Sequence, residues 1–128
     1  MGLVAIGVSA SARTIVVNNP APSQGDQALE RREVELRTVT AYSELDSCHT
    51  GPDCLMANGK RAEVGYVACP RSLALGTIVE LQGISYECGD RTAKRYDGRY
   101  DVFMGYGVEA HTKALAFGKR SVEVSIIK

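Results

Sequence analysis

The stretch that decides the fold is residues 88–105, CGDRTAKRYDGRYDVFMG. Three aspartates, Asp90, Asp97 and Asp101, lie within twelve residues, and a β-prone segment follows the last of them. Asp and Gly are the residues that turns prefer, so one interpretation is a solvated connection between two short strands. The other is a pair of carboxylates that handle a proton on a substrate. The spacing alone favours the connection, and the rest of the chain has to decide between the two.

The bulk composition limits the classes of protein. A chain of 128 residues forms one domain with a modest core. It carries 15 acidic and 15 basic residues, and this zero net charge argues against nucleic acid or an anionic membrane as the main partner. The sequence contains no glycine-rich phosphate loop, so nucleotide chemistry has no support and no cofactor is expected.

Four cysteines, at positions 48, 54, 69 and 88, form an even set in a small domain. They predict one or two disulfides in an oxidising compartment, and the sequence does not choose among the connectivities. For Cys69 we favour a disulfide over nucleophilic catalysis, because no His follows at a recognisable offset. A zinc site at Cys48, His49 and Cys54 is the alternative, although the chain has no Cys-x-x-Cys pair.

The first third of the chain has little apolar periodicity. Residues 1–12 resemble the end of a secretory signal, in which a short apolar run precedes small residues near Ala10 and Ala12. That run is too short to span a bilayer. Residues 13–33 carry Pro, polar and charged residues, and we expect a flexible linker there. The folded domain is then expected over residues 34–128.

Alternation of apolar and polar residues predicts the strands of this domain. One short helix is predicted over residues 108–117, ending at Gly118, and a long loop over residues 43–61. About six short strands with one helix predict a mainly β fold, and a closed barrel rather than a sandwich. The predicted strands are residues 34–42, 64–68, 78–81, 84–87, 99–104 and 121–127.

Several short segments occur in a specific order. They are TAY at 40–42, ANG at 57–59, GYVACP at 65–70, LGT at 75–77, GRYDVFMG at 98–105 and AFGKRSVEV at 116–124, with Asp90 and Asp101 eleven positions apart. This set resembles the 3D (three-aspartate) domain, which is shared by membrane-bound lytic murein transglycosylases and by stationary-phase and resuscitation-promoting cell-wall proteins. The resemblance covers residues 38–127 and implies a six-stranded double-psi β-barrel with one short helix.

The sequence departs from the family pattern at two places. The first aspartate of the family falls on Cys69, and the frequent Thr-Ala-x-Gly is here Met56-Ala57-Asn58-Gly59. Asp97 falls inside a loop where the family more often has Gly, so we do not count it as a replacement. Some binding contacts are therefore expected to differ, although the two later aspartates are retained.

The resemblance implies a secreted or cell-wall-associated lytic transglycosylase, expected as a monomer. Asp101 would cleave the bond between N-acetylmuramic acid and N-acetylglucosamine without water and leave a 1,6-anhydro end, and Asp90 would assist. Peptidoglycan glycan strands are the implied partner, with Tyr42, Thr92 and Arg99 as the expected binding residues. No metal, nucleic acid or membrane-spanning segment is expected.

The role of Asp101 has a physical requirement and open alternatives. A proton donor near neutral pH needs a raised pKa, which burial and the nearby charge of Asp90 would supply. Alternatively, Asp101 pairs with Arg99 or Arg91 at the rim, and Asp90 caps a turn. The rival functions are a non-catalytic, expansin-like glycan-binding barrel and a two-carboxylate glycoside hydrolase. The retained aspartates favour catalysis, whereas the loss of the first family aspartate at Cys69 favours binding alone.

Overall fold

The computed structural model describes residues 12–20, 27–47 and 54–127. This part of the chain contains seven strands, two α-helices and a short 3-10 helix at Lys94–Tyr96. In chain order, the strands and α-helices are β1 (Ala12–Pro20), β2 (Gln27–Tyr42), α1 (Glu44–Ser47), β3 (Tyr66–Cys69), β4 (Ile78–Leu81), β5 (Ile84–Arg91), β6 (Tyr100–Phe103), α2 (Gly107–Phe117) and β7 (Arg120–Ile127).

Six of these strands form a closed barrel. The neighbours run in the order β2, β6, β3, β5, β4 and β7, and β7 pairs back with β2. The β2–β6 and β3–β5 pairs are parallel, and the remaining pairs around the ring are antiparallel. The fold is therefore mainly β, a six-stranded double-psi barrel with one longer helix, as the sequence predicts.

β1 lies outside the closed ring. It pairs antiparallel with residues 27–35 of β2, whereas β7 pairs with residues 32–39 of the same strand. β1 and the start of β2 thus fall in the segment where the sequence predicts a linker. The β-branched run at residues 14–17, Thr-Ile-Val-Val, favours a strand even though its neighbours are polar. The predicted signal segment lies outside the described residues apart from Ala12.

The period of two along each strand separates an inner from an outer set of side chains. The inner set fills the barrel, and its fully buried members are Val39, Val67, Cys69, Val79, Cys88, Tyr100 and Val124. Alternate residues of the same strands, among them Tyr42, Ala68 and Phe103, pack instead with the loop residues Cys54, Met56 and Ala62. This second cluster covers one outer wall of the barrel.

A disulfide joins Cys69 of β3 to Cys88 of β5 in the barrel interior. Both side chains are fully buried, and the two residues are 19 positions apart in the chain. The prediction of a disulfide at Cys69 is confirmed. Cys54 is disulfide-bonded as well, so it is no thiolate ligand for zinc, and Cys48 and His49 of that alternative lie outside the described residues.

α2 covers the predicted helix and begins one residue earlier, at Gly107. It buries Ala110 and Ala114 and ends where Gly118 adopts a φ of 67°, a conformation that glycine takes without strain. The helix contacts β2 and α1, so it supports the end of β2 from which α1 emerges. Neither α-helix in the described part of the chain has the length and apolarity needed to cross a membrane.

Candidate active site

A row of four side chains crosses the outer wall of the barrel. Backbone pairing aligns Thr40 of β2 with Asp101 of β6. Ala68 of β3 lies on the other side of Asp101, and Asp90 of β5 lies next to Ala68. Paired residues face the same side of a sheet, so the two aspartates flank Ala68 on one surface. With strands about 4.8 Å apart, their Cα atoms are about 10 Å apart, and the methyl group of Ala68 lies between them.

Asp90 reaches this surface because of a β-bulge. The residue before Ala68 pairs with Cys88, whereas Ala68 itself pairs with Asp90, so Gly89 is an extra residue in β5. Cys88 faces the barrel interior. In a regular strand Asp90, two positions later, would face the interior too, and the bulge re-aims it outward.

The backbone at the bulge is held by a neighbouring loop. The carbonyl of Gly89 accepts a hydrogen bond from the backbone N–H of Asn58 at 3.0 Å. A Cβ atom at Gly89 would lie 2.6 Å from Cδ1 of Tyr66, closer than carbon atoms approach. Position 89 therefore accepts glycine because the Tyr66 ring lies directly against the backbone.

Asp90 and Asp101 open into a cleft of about 420 Å³. Its lining comes from the four-residue row, from the end of β2 with α1, and from the connection between β5 and β6. The five residues predicted from the sequence as site residues all line this cleft. They are Asp90, Asp101, Tyr42, Thr92 and Arg99. The structure thus brings together residues that lie up to 59 positions apart, counting from Tyr42 to Asp101.

Asp97, the remaining aspartate of the opening stretch, does not line this cleft. It is exposed, and its Oδ1 accepts a hydrogen bond from the backbone N–H of Arg71 at 2.9 Å. The Arg71 guanidinium lies 3.6 Å from the same oxygen. These contacts fit the loop role that the sequence predicts for Asp97.

Asp101 is half-buried at the base of the cleft. Burial raises its pKa from the usual 3.8 to about 6, and the charges of Asp46 and Asp90 act in the same direction. Two contacts oppose the rise, a hydrogen bond donated by Thr40 Oγ1 to Oδ1 at 2.9 Å and the charge of Arg99. A substantial fraction of the carboxyl is then protonated at mildly acidic pH, which is the state a general acid needs.

Asp90 has a different environment. Its Oδ1 accepts hydrogen bonds from the backbone N–H groups of Ala57 at 3.0 Å and Arg91 at 2.9 Å. The Tyr42 hydroxyl donates to Oδ2 at 3.3 Å. Burial and the charges of Asp90 and Asp101 raise the pKa of Tyr42, so this hydroxyl stays protonated and remains a donor. Asp90 therefore accepts three hydrogen bonds that fix its orientation, whereas Asp101 accepts one among the described residues, from Thr40.

Asp46 is a third cleft carboxylate that the sequence analysis did not identify. Its Oδ2 accepts hydrogen bonds from the Ser43 backbone N–H at 2.7 Å and from the Ser43 hydroxyl at 3.0 Å. Its Oδ1 lies 3.4 Å from His111 Nδ1 on α2. The available signal was the Ser-x-x-Asp spacing at 43–46, which is typical of a helix capping box and predicts a short helix inside the long loop.

The two arginines near the aspartates do not pair with them. Arg91 Nη1 donates to the carbonyl of Pro70 at 2.7 Å, and the Arg99 guanidinium lies 4.4 Å above the centre of the Tyr96 ring. Among the described residues neither arginine forms an ion pair with a carboxylate. The rim ion pair considered from the sequence is therefore not formed by these side chains.

Cys69, which stands at the position of the family's first aspartate, lies outside the cleft. Its side chain lies in the barrel interior, bonded to Cys88, and does not line the cleft. A carboxylate is therefore absent from an interior position of this chain and not from the lining of its cleft. In the described part of the chain, no group of three or more His, Cys, Asp or Glu is arranged to hold a metal ion.

Comparison with solved structures gives a similar fold. A crystal structure of MltA from Escherichia coli, described as having a unique lytic transglycosylase fold, aligns with a TM-score of 0.50 and 18% identity over 62% of this chain and 29% of that chain. A second crystal structure of E. coli MltA aligns with a TM-score of 0.49 and 20% identity over the same shares. This chain thus spans less than a third of MltA, and at this identity the likeness shows the fold alone. No protein-family model and no curated protein matches the chain in sequence.

Proposed function

We propose that this chain is a peptidoglycan lytic transglycosylase with Asp101 as its single acid/base. The observation that carries the proposal is a half-buried carboxyl with a pKa of about 6 that opens into a cleft. The resemblance of the sequence to the three-aspartate domain gives further support. So does the similar fold of MltA, a protein described as a lytic transglycosylase.

The proposed reaction needs one proton donor that later becomes a proton acceptor. Protonated Asp101 gives its proton to the glycosidic oxygen between N-acetylmuramic acid and N-acetylglucosamine, and the bond from this oxygen to the anomeric carbon breaks. The ionised Asp101 then removes the proton from the C6 hydroxyl of the same muramic acid. The C6 oxygen bonds to the anomeric carbon, which closes the 1,6-anhydro ring. Asp101 ends protonated again, and no water is consumed.

Asp90 would assist this reaction by its charge and its fixed position. Positive charge develops at the anomeric carbon as the glycosidic bond breaks, and a carboxylate held nearby stabilises it. The hydrogen bonds from Ala57, Arg91 and Tyr42 keep the Asp90 carboxylate in one orientation. Because the substrate lies outside the cell membrane, we infer that the chain is secreted or wall-associated, and the buried disulfide fits an oxidising compartment.

Asp46 favours one second candidate, a two-carboxylate glycoside hydrolase. Hydrolysis requires a second carboxyl that acts on the anomeric carbon directly or through a water. Asp46 lines the same cleft, and its charge contributes to the raised pKa of Asp101. The two candidates differ in their products, because hydrolysis leaves reducing ends and the transglycosylase leaves anhydro ends.

The test is digestion of purified cell-wall sacculi followed by mass spectrometry of the soluble muropeptides. The wild type is expected to release anhydro-muropeptides, and Asp101→Asn should reduce the release at least about 100-fold. Asp97→Asn is the matched control, since it removes an exposed carboxylate of the same stretch that does not line the cleft.

Two other outcomes would contradict the proposal. Reducing ends that disappear in Asp46→Asn would identify a hydrolase. No release by the wild type, together with retention of the protein on sacculi, would identify a non-catalytic glycan-binding barrel.

A further inference from the structure

We propose that Arg91, Thr92 and Arg99 form a carboxylate subsite, which binds an acidic substituent of the glycan while Asp101 acts on the glycosidic bond. All three residues line the cleft and belong to residues 91–99, at and after the end of β5. The three cleft aspartates come from other places, the four-residue row and α1. The inference rests on the proposed function for the identity of the glycan.

The guanidinium of Arg91 is positioned by one hydrogen bond and has further N–H groups that can donate to a ligand. It donates a hydrogen bond from Nη1 to the carbonyl of Pro70 at 2.7 Å. A guanidinium carries five N–H donors in a planar fork, and it forms no ion pair with another described residue here. A carboxylate is the acceptor that such a fork binds with two parallel hydrogen bonds.

Arg99 is positioned by stacking rather than by a carboxylate. Its guanidinium lies 4.4 Å above the centre of the Tyr96 ring, and Tyr96 also lines the cleft. Stacking occupies the flat face of the guanidinium and leaves the N–H groups at its edge available. Arg95 lies 4.8 Å from the same ring but does not line the cleft, which makes it a matched control.

Thr92 supplies the independent indication of a ligand. Its side chain is 7% exposed, and its hydroxyl has no hydrogen-bond partner among the described residues. A buried hydroxyl without a partner is unfavourable, and nearly all such groups in folded proteins are satisfied by protein, water or ligand. An acceptor atom of a bound substrate would accept a hydrogen bond from this hydroxyl. Thr92 directly follows Arg91 in the chain, so the same substrate group could contact both residues.

The residue types favour an anion over a neutral sugar hydroxyl. Both guanidiniums are charged at every physiological pH and only donate hydrogen bonds. A carboxylate can reach this subsite from two sources. One is the lactyl group of muramic acid, which is free where the peptide stem has been removed, and the other is the stem peptide itself.

The test measures binding with the full chain carrying Asp101→Asn, so that no turnover disturbs the affinity. Four ligands are compared: glycan strands stripped of stems, strands with intact stems, and each of these two with its carboxyls converted to amides. Amidation is expected to weaken binding about tenfold. Tighter binding of stripped strands than of stemmed strands assigns the lactyl carboxylate, and the reverse order assigns the stem.

Added substitutions locate the preference within the cleft. Arg91→Gln or Arg99→Gln should reduce the effect of amidation to about twofold or less, whereas Arg95→Gln should leave it unchanged. Thr92→Val should weaken binding of the carboxylate ligand several-fold without lowering the free energy of unfolding, because it removes a hydroxyl that has no protein partner.

Equal affinity for charged and amidated strands, both with and without stems, would overturn this inference, as would a preference that survives both arginine substitutions. Its failure can be told apart from that of the proposed function. The binding preference is measured without turnover, and the anhydro products are measured on sacculi, so each can fail while the other holds.

Discussion

Asp101 lowers the stability of the folded protein at neutral pH. Its pKa rises from 3.8 to about 6 on folding, so the folded state binds this proton more tightly than the unfolded chain. Binding of this proton stabilises the folded state. The contribution is fully present below about pH 4 and is lost as the pH rises through about 6. Asp101→Asn is uncharged at every pH, so it should raise the free energy of unfolding by about 1–3 kcal/mol at pH 8.

Urea unfolding of the wild type and of Asp101→Asn at pH 4 and pH 8 checks this prediction. The difference between the two proteins should be small at pH 4 and large at pH 8. An equal difference at both pH values would show that the ionisation of Asp101 is not its cause.

Two neighbours of Asp101 should shift the pH dependence of cleavage in opposite directions. If the protonated carboxyl is required, kcat/KM falls as the pH rises through about 6, the pKa of Asp101. Thr40→Val removes the hydrogen bond that lowers this pKa, so the fall should move to higher pH. Asp46→Asn removes a charge that raises it, so the fall should move to lower pH. Release of anhydro ends from pH 4 to 9 measures both, and shifts of the same sign would contradict the assignment.

Gly89 is the residue whose substitution should most directly disturb the bulge. A Cβ atom at this position would lie 2.6 Å from the Tyr66 ring, so Gly89→Ala should destabilise the fold by about 1–3 kcal/mol. Thermal unfolding of a double-mutant cycle with Tyr66→Ala gives the control, because the added methyl has no ring to meet in that background. An undiminished cost in the double variant would place the strain elsewhere.

The disulfide joins β3 to β5, two of the strands that carry the four-residue row of the cleft (Thr40, Asp101, Ala68 and Asp90). It lies in the interior, whereas Ala68 and Asp90 of the same strands face the cleft. Cys69→Ala with Cys88→Ala should therefore lower the free energy of unfolding by about 2–4 kcal/mol, with little change in cleavage at temperatures where the variant is folded. Urea unfolding and muropeptide release test the two parts separately. Loss of cleavage in a fully folded variant would contradict the separation of interior and cleft.

The sequence predicts the regular elements well and the irregular ones poorly. The strand at 78–81 and the helix near 108–117 follow from alternation and from a glycine stop, which are local signals. The cleft aspartates were found through the family resemblance. Strict alternation would place Cys88 and Asp90 on one face, so the bulge that separates them could not be predicted. The Ser-x-x-Asp spacing predicts the contact between Ser43 and Asp46, but the place of Asp46 in the cleft depends on packing of α1 near His111 of α2, which a local pattern does not contain.

The barrel as a whole closes without β1. The ring is completed by pairing of residues 32–39 of β2 with β7, and the cleft residues described above belong to β2, α1, β3, β5, β6 and the connection between β5 and β6. A variant that lacks residues 1–26 should therefore keep a β-rich circular dichroism spectrum and its cleavage of sacculi. It should also associate more readily with itself, because residues 27–35 of β2 lose their pairing partner and form an exposed strand edge. Loss of the folded spectrum would show that β1 is needed for the barrel.

The extra residue at position 89 also determines how related sequences must be compared. Cys88 faces inward and Asp90 faces outward although one residue separates them, so the parity of the strand changes at that point. Deleting Gly89 would remove the extra residue, so we expect the strand to alternate regularly, with Cys88 still facing inward and the aspartate, now its direct neighbour, still facing the cleft. The Cys-x-Asp spacing without a bulge would instead aim the carboxylate into the core. In an alignment, a relative with the aspartate directly after the cysteine is therefore expected to keep the same cleft, whereas a relative with the Cys-x-Asp spacing keeps it only if it also has the bulge.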